Sequence, residues 1–450
     1  MALPFFFAYL GSYSITFVGM WYAGAFSVAE ASGFGLAIMI TNALGYSVVS
    51  GLAGGLDPLI SQTYGVDPEH PKILAFAQRG IICFSLFLIP IGIAFYTAGT
   101  WLSWLHFGEP AVIELAAPQI RLCILALPAW LLWDVLQCVL ACCDAVKETC
   151  FGYLVAAAVN PIVLHFFVEY HHLGYDGLMA SYVIVSWVMV ISASFYTFYV
   201  TKRLDGIVLS GGGTWQWEEA MTHWKPLLRR ALPSMCILLC VWTASELNVL
   251  LSSLVLPTAQ FDAAAICQQI ILVAYSLPSA LSYAVVCKVG NFLGANDMAS
   301  VKRTMWIGVV LTTLWAAFVA VSLVGFRAKI ATAFSPHDDV QDAVIDAIPS
   351  LCVFFFVDTL LGAIASGLRG IGVPSRVAWS AFVGWSVGLS LTYYFSRSHP
   401  QWGLSAFYDG PAVGLLAACV MCAYFLATTS WEVQEDIVQE LLADPKRKRE

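Results

Sequence analysis

The chain has 450 residues, of which 60% are apolar and only 11% are Asp, Glu, Lys or Arg, whereas about a quarter of a soluble domain is charged. A soluble fold of this composition could not cover its own apolar surface. The composition therefore excludes a soluble enzyme, a nucleic-acid-binding protein, a secreted disulfide scaffold and a disordered protein as the main interpretation. The formal net charge of −8 matters less than the side of the membrane on which each charge lies.

Long runs of apolar residues, separated by Gly, Pro and charged residues, predict an all-α polytopic membrane protein. One membrane-spanning helix takes about 20 residues, so the apolar residues suffice for roughly a dozen spans. In chain order we predict twelve spans, at 4–25, 34–57, 80–105, 117–142, 151–170, 177–200, 231–256, 263–288, 304–326, 347–368, 375–395 and 411–431.

The basic residues predict the orientation of these spans. If the N-terminus is cytoplasmic, seventeen Lys and Arg residues fall on the cytoplasmic side. Four remain outside, namely Arg121, Arg327, Lys329 and Arg397. This asymmetry follows the positive-inside rule. We therefore expect both termini in the cytoplasm, in the plasma membrane or in a vacuole-type organelle membrane.

One long polar segment connects the sixth and seventh spans. It contains Gly211 to Gly213, which predict a flexible joint, followed by Thr214, which can cap a short helix. Apolar side chains then recur at helical spacing, which predicts a helix on the cytoplasmic leaflet. These side chains are Trp217, Met221 and Trp224.

The polar segments divide the chain into four predicted parts. They are an N-terminal six-helix lobe (1–203), a cytoplasmic linker (204–228), a C-terminal six-helix lobe (229–431) and a cytoplasmic tail (432–450). In the tail, Val433, Ile437 and Leu441 predict an amphipathic helix before the basic cluster Lys446 to Arg449.

Sliding the chain against itself by 229 residues superposes several distinctive positions, which predicts an internal repeat. The matches are Pro4 with Pro233, Tyr46 with Tyr275, Ser47 with Ser276, Leu52 with Leu281, Gly65 with Gly294, Leu122 with Leu351, Cys123 with Cys352, and Gln62 with the similar Asn291. Because six spans separate the copies, both halves begin on the same side of the membrane. We expect two six-helix lobes related by pseudo-two-fold symmetry about the membrane normal, an architecture typical of alternating access.

Motifs in both halves resemble the multidrug and toxic compound extrusion (MATE) family, especially its eukaryotic branch. Span 2 and its end read Asn42-x-x-Gly45-x-Ser47-x-x-x-Gly51-Leu52-x-x-x-Leu56-Asp57-x-Leu59-x-x-Gln62-x-Tyr64-Gly65. The second half reads Tyr275-x-x-Pro278, Lys288-Val-Gly290-Asn291-x-Leu293-Gly294-Ala295 and Gly367-Leu-Arg369-Gly370-x-Gly372. The resemblance covers about residues 1 to 431. We expect several motif residues to serve gating or structure, namely Asp57, Gln62, Gly65, Asn291, Gly294 and Arg369.

The resemblance implies two six-helix lobes and export of organic solutes in exchange for protons or sodium, with protons general in the eukaryotic branch. The chain departs from the family at several positions. Val241 stands at the first of two span 7 acids, Gln269 where some members have Glu, and Ala381 where span 11 usually has Asn. Span 4 reads Leu140-Ala-Cys-Cys143 in place of Leu-Gln-x-Gln. These departures predict a reduced or rearranged coupling machinery.

Acids within the spans are the sharpest functional signal, because a charge at the centre of a membrane helix costs about 2.5 to 3.5 kcal/mol on insertion scales. Asp358 of span 10 and Glu246 of span 7 have similar predicted depths, and the resemblance matches each to a family acid. We predict that they bind the coupling proton or cation; the alternative is that each anchors an interhelical hydrogen bond. Trp242, one turn before Glu246, could offer a π surface to a cation or could simply pack.

Further polar residues complete the predicted substrate cleft. In the second half these are Gln269, alternatively a polar interhelical contact, and Tyr275. In the first half, Asp134 and Gln137 share one face of span 4 and predict a second cation site. The alternatives for Asp134 are a polar partner such as Asn160 or a position at the lipid boundary.

The leading hypothesis is a secondary active antiporter that exports organic cations or other amphipathic small molecules in exchange for protons, with sodium as the alternative coupling ion. A lipid or lipid-linked sugar flippase is the alternative function, disfavoured by the shortage of mid-membrane Lys and Arg to hold phosphates. A passive channel fits the two-fold repeat poorly, and no G-x-x-x-x-G-K-[ST] motif supports direct ATP drive. We expect a monomer in the lipid bilayer with no enzymatic activity, cofactor, metal or nucleic-acid partner. The 13 cysteines are expected to pack as small apolar residues.

Overall fold

The computed structural model describes residues 2–105, 109–210 and 215–429. Throughout these ranges the regular structure is helical, as predicted. Each of the twelve predicted spans overlaps one helical span, although some spans consist of several pieces. The end of the third predicted span falls on a separate short helix, Ala98–Trp104. In chain order the helical spans are α1 (Ala2–Ala23), α2 (Val28–Val66), α3 (Lys72–Tyr96), α4 (Pro110–Leu125 and Leu127–Cys142), α5 (Val146–Tyr170), α6 (Asp176–Thr201), α7 (Trp224–Val255), α8 (Thr258–Ala274 and Ser276–Gly294), α9 (Met298–Phe334), α10 (Asp338–Gly370), α11 (Pro374–Ser398) and α12 (Pro400–Thr428).

Length and composition qualify most of these helices as membrane spans. Among the described residues, nine are each long and apolar enough to cross a membrane. The two pieces of α4, and likewise those of α8, qualify together across bends of 51° and 43°. α11 has sufficient length, but Arg376 and its Ser and Gly residues make it less apolar. The predicted all-helical membrane architecture is therefore confirmed.

Several helices extend well beyond the predicted spans. α9 and α10 continue through polar sequence at their ends, where hydropathy gives no signal. At the start of α9 the Asp297 side chain accepts a hydrogen bond from the Ser300 backbone N–H, at 3.0 Å, which caps the helix. Asp338 and Asp339 occupy the first turn of α10, where their negative charges interact favourably with the helix dipole. Capping and backbone hydrogen bonds thus extend these helices past their apolar sections.

The second helix of each half is irregular at the same place in the repeat. In α2 a π-helical segment, Thr41–Tyr46, interrupts the α-helix. In α8 the bend lies at Tyr275, between the two pieces. Tyr46 and Tyr275 are the pair that the 229-residue offset superposes. The structure therefore shows that the repeat includes a local break in regular helical geometry, a feature often associated with function.

The described residues form two compact units, and the border between them lies between Leu239 and Cys240. The border lies within α7, whereas the sequence predicted a linker at 204–228; the borders at 203 and 229 stay predictions. Gly211 to Gly213, Thr214 and the predicted tail at 432–450 lie outside the described residues.

The described part of the linker is attached to the first unit through α3. Arg79 donates to the main-chain oxygen of Glu219 through Nε at 3.0 Å and Nη2 at 2.8 Å, and its Nη2 lies 3.2 Å from the Glu219 carboxylate. The short helix Trp217–Ala220 lies here. Trp217 and Met221 expose 64% and 56% of their surface, but Trp224, which was predicted to continue this helix, begins α7 instead. The helix on the cytoplasmic leaflet stays a prediction.

The second unit is built around α10, which packs against α8, α9 and α12. Its buried core includes Val344, Ile348, Leu351 and Phe355. A smaller apolar cluster joins α7 to α10, α11 and α12, and consists of Ala244, Val357, Trp385, Leu415 and Cys419.

Glycines allow α11 and α12 to approach closely. A Cβ atom on Gly414 would collide with the backbone of Gly384 and Gly388. Small residues at such contacts are a common means of packing membrane helices.

Candidate functional site

The predicted acid of α10 is bonded to the bend of α8. Asp358 is partly buried, and its Oδ2 accepts a hydrogen bond from the Tyr275 hydroxyl. The Tyr275 ring packs edge-on against Phe355, with ring centroids 5.1 Å apart, which restrains the hydroxyl. Because Tyr275 lies between the two pieces of α8, this bond connects a membrane carboxylate to an irregular point of a neighbouring helix.

Glu246, the predicted acid of α7, lies on the face of this helix opposite to the one that packs against other helices of the second unit. Ala244 belongs to the apolar cluster, Asn248 Nδ2 donates to the Phe407 main-chain oxygen at 3.0 Å, and Ser252 is buried. These residues recur every four positions and define the packed face. Glu246 stands two positions from both Ala244 and Asn248, and therefore on the opposite face.

Trp242 shares this opposite face with Glu246, one turn earlier. Both residues are partly buried. Within the described parts of the chain, the Glu246 carboxylate has no hydrogen-bond or ion-pair partner. Asp358 and Glu246 thus make no hydrogen bond with each other, and their environments differ.

Gln269 also lies away from its own helix's packed face. Cys267 and Ile271 are buried in the core of the second unit, and Gln269 is two positions from each. Its side chain is partly buried, and among the described residues its amide makes no hydrogen bond. The interhelical contact considered for Gln269 is therefore not formed with those residues.

Asp134 of α4 is buried in the first unit, with 7% of its surface exposed, which excludes the lipid-boundary alternative. It lies beside Tyr46 and Ser50 of α2. The predicted alternative partner, Asn160, donates instead to the Ile15 main-chain oxygen at 3.1 Å. Among the described residues, Asp134 Oδ2 has no hydrogen-bond partner. A buried carboxylate oxygen left in this way favours a bound proton or cation.

Gln137, one turn after Asp134, belongs to a chain of buried polar groups. The Trp133 Nε1–H donates to the Tyr153 hydroxyl, which donates in turn to Gln137 Oε1, each at 3.1 Å. These bonds orient the Gln137 amide, so that its Nε2 is the end left for a further partner.

The two units share one arrangement that sequence reasoning missed. Each places a tyrosine at the irregular point of its second helix beside an acid of its fourth helix, namely Tyr46 with Asp134 and Tyr275 with Asp358. The offset superposes the tyrosines, but the acids occupy different positions of α4 and α10. The repeat could therefore reveal the tyrosines but not their acidic neighbours.

The predicted motif residues lie near the ends of their helices. Asp57 begins the last piece of α2, Asp57–Val66, which also contains Gln62 and Gly65. Asn291 and Gly294 lie in the last turn of α8.

Arg369 is next to the end of α10. Its neighbour Gly370 has a packing role, because a Cβ atom there would lie 2.8 Å from the Val286 main-chain oxygen of α8.

A further cluster was not predicted from the sequence. Asp57, Cys138 and Cys142 are buried, and one potential metal-ligand atom from each lies within 4.8 Å of the other two. The only sequence signal was the four-residue spacing of the two cysteines on α4.

Two repeated helical halves, each with a broken second helix and an acid beside the break, define a membrane transporter built from internal repeats. The sequence profile of the MatE family matches residues 4–167 and 233–394, one segment in each half and together more than half of the chain. The chain therefore belongs to the MATE family, and the resemblance inferred from its motifs is confirmed.

The relatives include animal and plant proteins. The chain is 29% identical over 373 residues to mouse multidrug and toxin extrusion protein 1, covering 83% of this chain and 64% of the mouse protein. The chain thus spans just under two thirds of the length of that relative. It is 28% identical over 465 residues to Arabidopsis thaliana Protein DETOXIFICATION 51, covering 98% of this chain and 82% of that protein.

Solved structures share the fold. The crystal structure of the eukaryotic MATE transporter AtDTX14 superposes with a TM-score of 0.89 at 20% sequence identity, covering 98% of this chain and 97% of that chain. An outward-facing multidrug resistance MATE family transporter superposes with a TM-score of 0.83 at 14% identity, covering 98% of this chain and 95% of that one.

Proposed function

We propose that this protein is a proton-coupled antiporter that exports organic cations or other amphipathic small molecules, and that it has no enzymatic activity. The observation that carries the proposal is the hydrogen bond from Tyr275 to Asp358. It links a carboxylate within a membrane helix to the bend of α8. The name of the mouse relative, which refers to multidrug and toxin extrusion, supports the substrate class.

Protonation of Asp358 would change this hydrogen bond. An ionised carboxylate accepts a charge-assisted bond that is about twice as strong as a neutral one. Proton binding therefore weakens the restraint that Asp358 places on Tyr275, and proton release restores it. In this way the proton state of α10 biases the shape of α8, a two-state element of the kind that alternating access requires.

Glu246 is the proposed cation-binding group. Its carboxylate has no partner among the described residues, and Trp242 lies one turn away on the same face. A desolvated cation over an indole ring gains about 2 kcal/mol or more, in addition to its attraction to the carboxylate. Because a proton on Glu246 removes this attraction, proton and cation binding are mutually exclusive at this residue, as antiport requires.

The orientation and location follow from the charge distribution. We propose that both termini are cytoplasmic, because this places seventeen basic residues inside and four outside. The protein would act as a monomer in the plasma membrane or a vacuole-type membrane.

Exchange measured in proteoliposomes tests the coupling. With a radiolabelled quaternary ammonium cation and an imposed pH gradient, we expect Asp358→Asn to abolish pH-driven exchange while the variant keeps its thermal unfolding temperature in detergent. Asp262→Asn, which neutralises an exposed acid of α8, is the matched control and should exchange normally. Normal exchange by Asp358→Asn would refute the proton site, and flux that follows sodium instead of protons would overturn the choice of coupling ion.

Substitutions of Trp242 test the cation contact. Trp242→Phe keeps an aromatic face and should retain most of the affinity, whereas Trp242→Leu should lower it. Equal losses in both variants would show that side-chain volume, and not the π surface, matters at this position.

A further inference from the structure

We propose that Asp57, Cys138 and Cys142 bind one divalent metal ion of the zinc class, which connects the cytoplasmic end of α2 to α4. This site is separate from Asp358 and Glu246, and the inference does not depend on the proposed transport function.

The geometry of the three side chains suits a tetrahedral ion. Cys138 and Cys142 are four residues apart on α4, so both thiols lie on one face of the helix. Asp57 approaches from the start of the last piece of α2. The ligand atoms lie within 4.8 Å of one another. Zinc bonds of about 2.0 to 2.3 Å place tetrahedral ligand atoms about 3.5 to 3.8 Å apart, so an adjustment of about an ångström would complete the site.

The site is built into the interior of the first unit. Asp57 and Cys138 each expose 1% of their surface, and Cys142 is fully buried. The Cys142 Sγ also lies 3.6 Å from the Asp57 main-chain oxygen, so the two helices are already in contact. Little chain entropy is lost when an ion binds between groups that the fold already holds together.

Asp134 provides an independent observation that points to a cation. It precedes Cys138 by four residues and therefore continues the same helix face. It is 7% exposed, and its Oδ2 has no hydrogen-bond partner among the described residues. Asp57 and Asp134 are close enough for their charges to repel. A cation held by Asp57 would relieve this repulsion, and Asp134 would support it from outside the ligand set, through a water molecule.

The donor atoms select the kind of ion. Calcium and magnesium take oxygen ligands, whereas copper(I) favours sulfur ligands throughout. Two thiolates with a carboxylate match the borderline preference of zinc. On binding, each thiol releases its proton to the solvent as its sulfur–metal bond forms. The ion then offsets two of the three negative charges on the ligands.

Metal titration of the purified full chain in detergent tests the site. We expect one zinc ion per chain by calorimetry and a higher unfolding temperature with zinc present, because the ion binds only the folded arrangement. Cadmium, used as a spectroscopic substitute, should give an ultraviolet thiolate-to-metal charge-transfer band. Cys138→Ser and Cys142→Ser should each weaken zinc binding by about 10- to 100-fold or more and reduce the band.

Two further variants keep the proposal falsifiable. Cys83→Ser changes another buried cysteine of the first unit, on α3, and should leave affinity and band unchanged. Asp57→Asn should weaken zinc binding but retain the cadmium band, because both thiols remain. This variant still tests the site if the serine variants do not fold. Full zinc affinity in Cys138→Ser or Asp57→Asn, equal loss in Cys83→Ser, or binding of copper(I) without zinc would overturn the proposal.

Discussion

The hydrogen bond between Tyr275 and Asp358 gives a quantitative prediction for Tyr275→Phe. This change removes one oxygen atom and keeps the ring that packs against Phe355. The bend of α8 therefore retains its packing, whereas the ionised form of Asp358 loses a hydrogen-bond donor. We expect the protein to fold and to transport, but with an altered dependence on pH.

The expected size follows from the strength of the lost bond. A hydrogen bond to a charged group contributes about 1.5 to 3 kcal/mol, and about 1.36 kcal/mol corresponds to one pH unit in a proton equilibrium. Loss of the donor destabilises the ionised carboxylate. The protonated carboxyl also loses a bond, which is about half as strong, so only about half of this free energy changes the proton equilibrium. The midpoint of exchange rate against pH should therefore move to higher pH by about half a unit to one unit.

The assay is cation exchange in proteoliposomes, measured at a series of pH values with equal pH on both sides. Tyr424→Phe is the matched control, because it removes the hydroxyl of an exposed tyrosine on α12. Its midpoint should equal that of the unmodified protein. An unshifted midpoint in Tyr275→Phe would refute the coupling between Asp358 and the bend of α8. A shift to lower pH would contradict the claim that the Tyr275 hydroxyl stabilises the ionised carboxylate.

Three other predictions concern stability and the linker. Gly414→Ala should lower the unfolding temperature in detergent, because overpacking costs about 1–3 kcal/mol whereas the gain in helix propensity is about 1 kcal/mol. Gly325→Ala is the control: its Cβ position faces open space, so the unfolding temperature should not fall. Equal falls in both variants would contradict the packing argument. Arg79→Gln should accelerate hydrogen exchange of the short linker helix by about tenfold or more, since bonds from a charged donor are lost; unchanged exchange would show that the linker is held by other contacts. Hydrogen bonds from Ser300 lower the pKa of Asp297, so its stabilising effect is present above the ordinary Asp range and is lost as pH falls through the lowered pKa. Asp297→Asn should therefore unfold at a lower temperature than the unmodified protein near neutral pH but not in acid, and a difference that persists in acid would contradict this sign.

Much of the fold could be predicted because its signals are local. Each span is an apolar run long enough to cross a bilayer, and charged residues separate one span from the next. The ends of α9 and α10 could not be predicted, since they depend on capping and on polar sequence that remains helical. Likewise, the constant offset identified Tyr46 and Tyr275 as equivalent, but not the irregular helix geometry at both positions.

The candidate site was predicted only in part, for a related reason. The scarcity of charge singled out Asp358, Glu246 and Asp134 one by one, because each is costly in a membrane helix. Which groups surround each acid depends on helix rotation and on contacts between residues distant in the chain. For example, the partner of Asp358 lies 83 positions away, and hydropathy contains no information about that distance.

By itself, the sequence determined that this is a membrane protein with a duplicated set of helices, and it identified the few acids within them. These properties follow from composition, periodicity and offset, which are independent of how the helices pack. Only the tertiary structure decided that Tyr275 bonds Asp358, that Glu246 lies on the opposite face from the packing of α7, and that Asp57 lies beside two cysteines of α4. The physical reason is that hydrogen bonding and metal coordination act over a few ångströms, so only packing determines which side chains can interact.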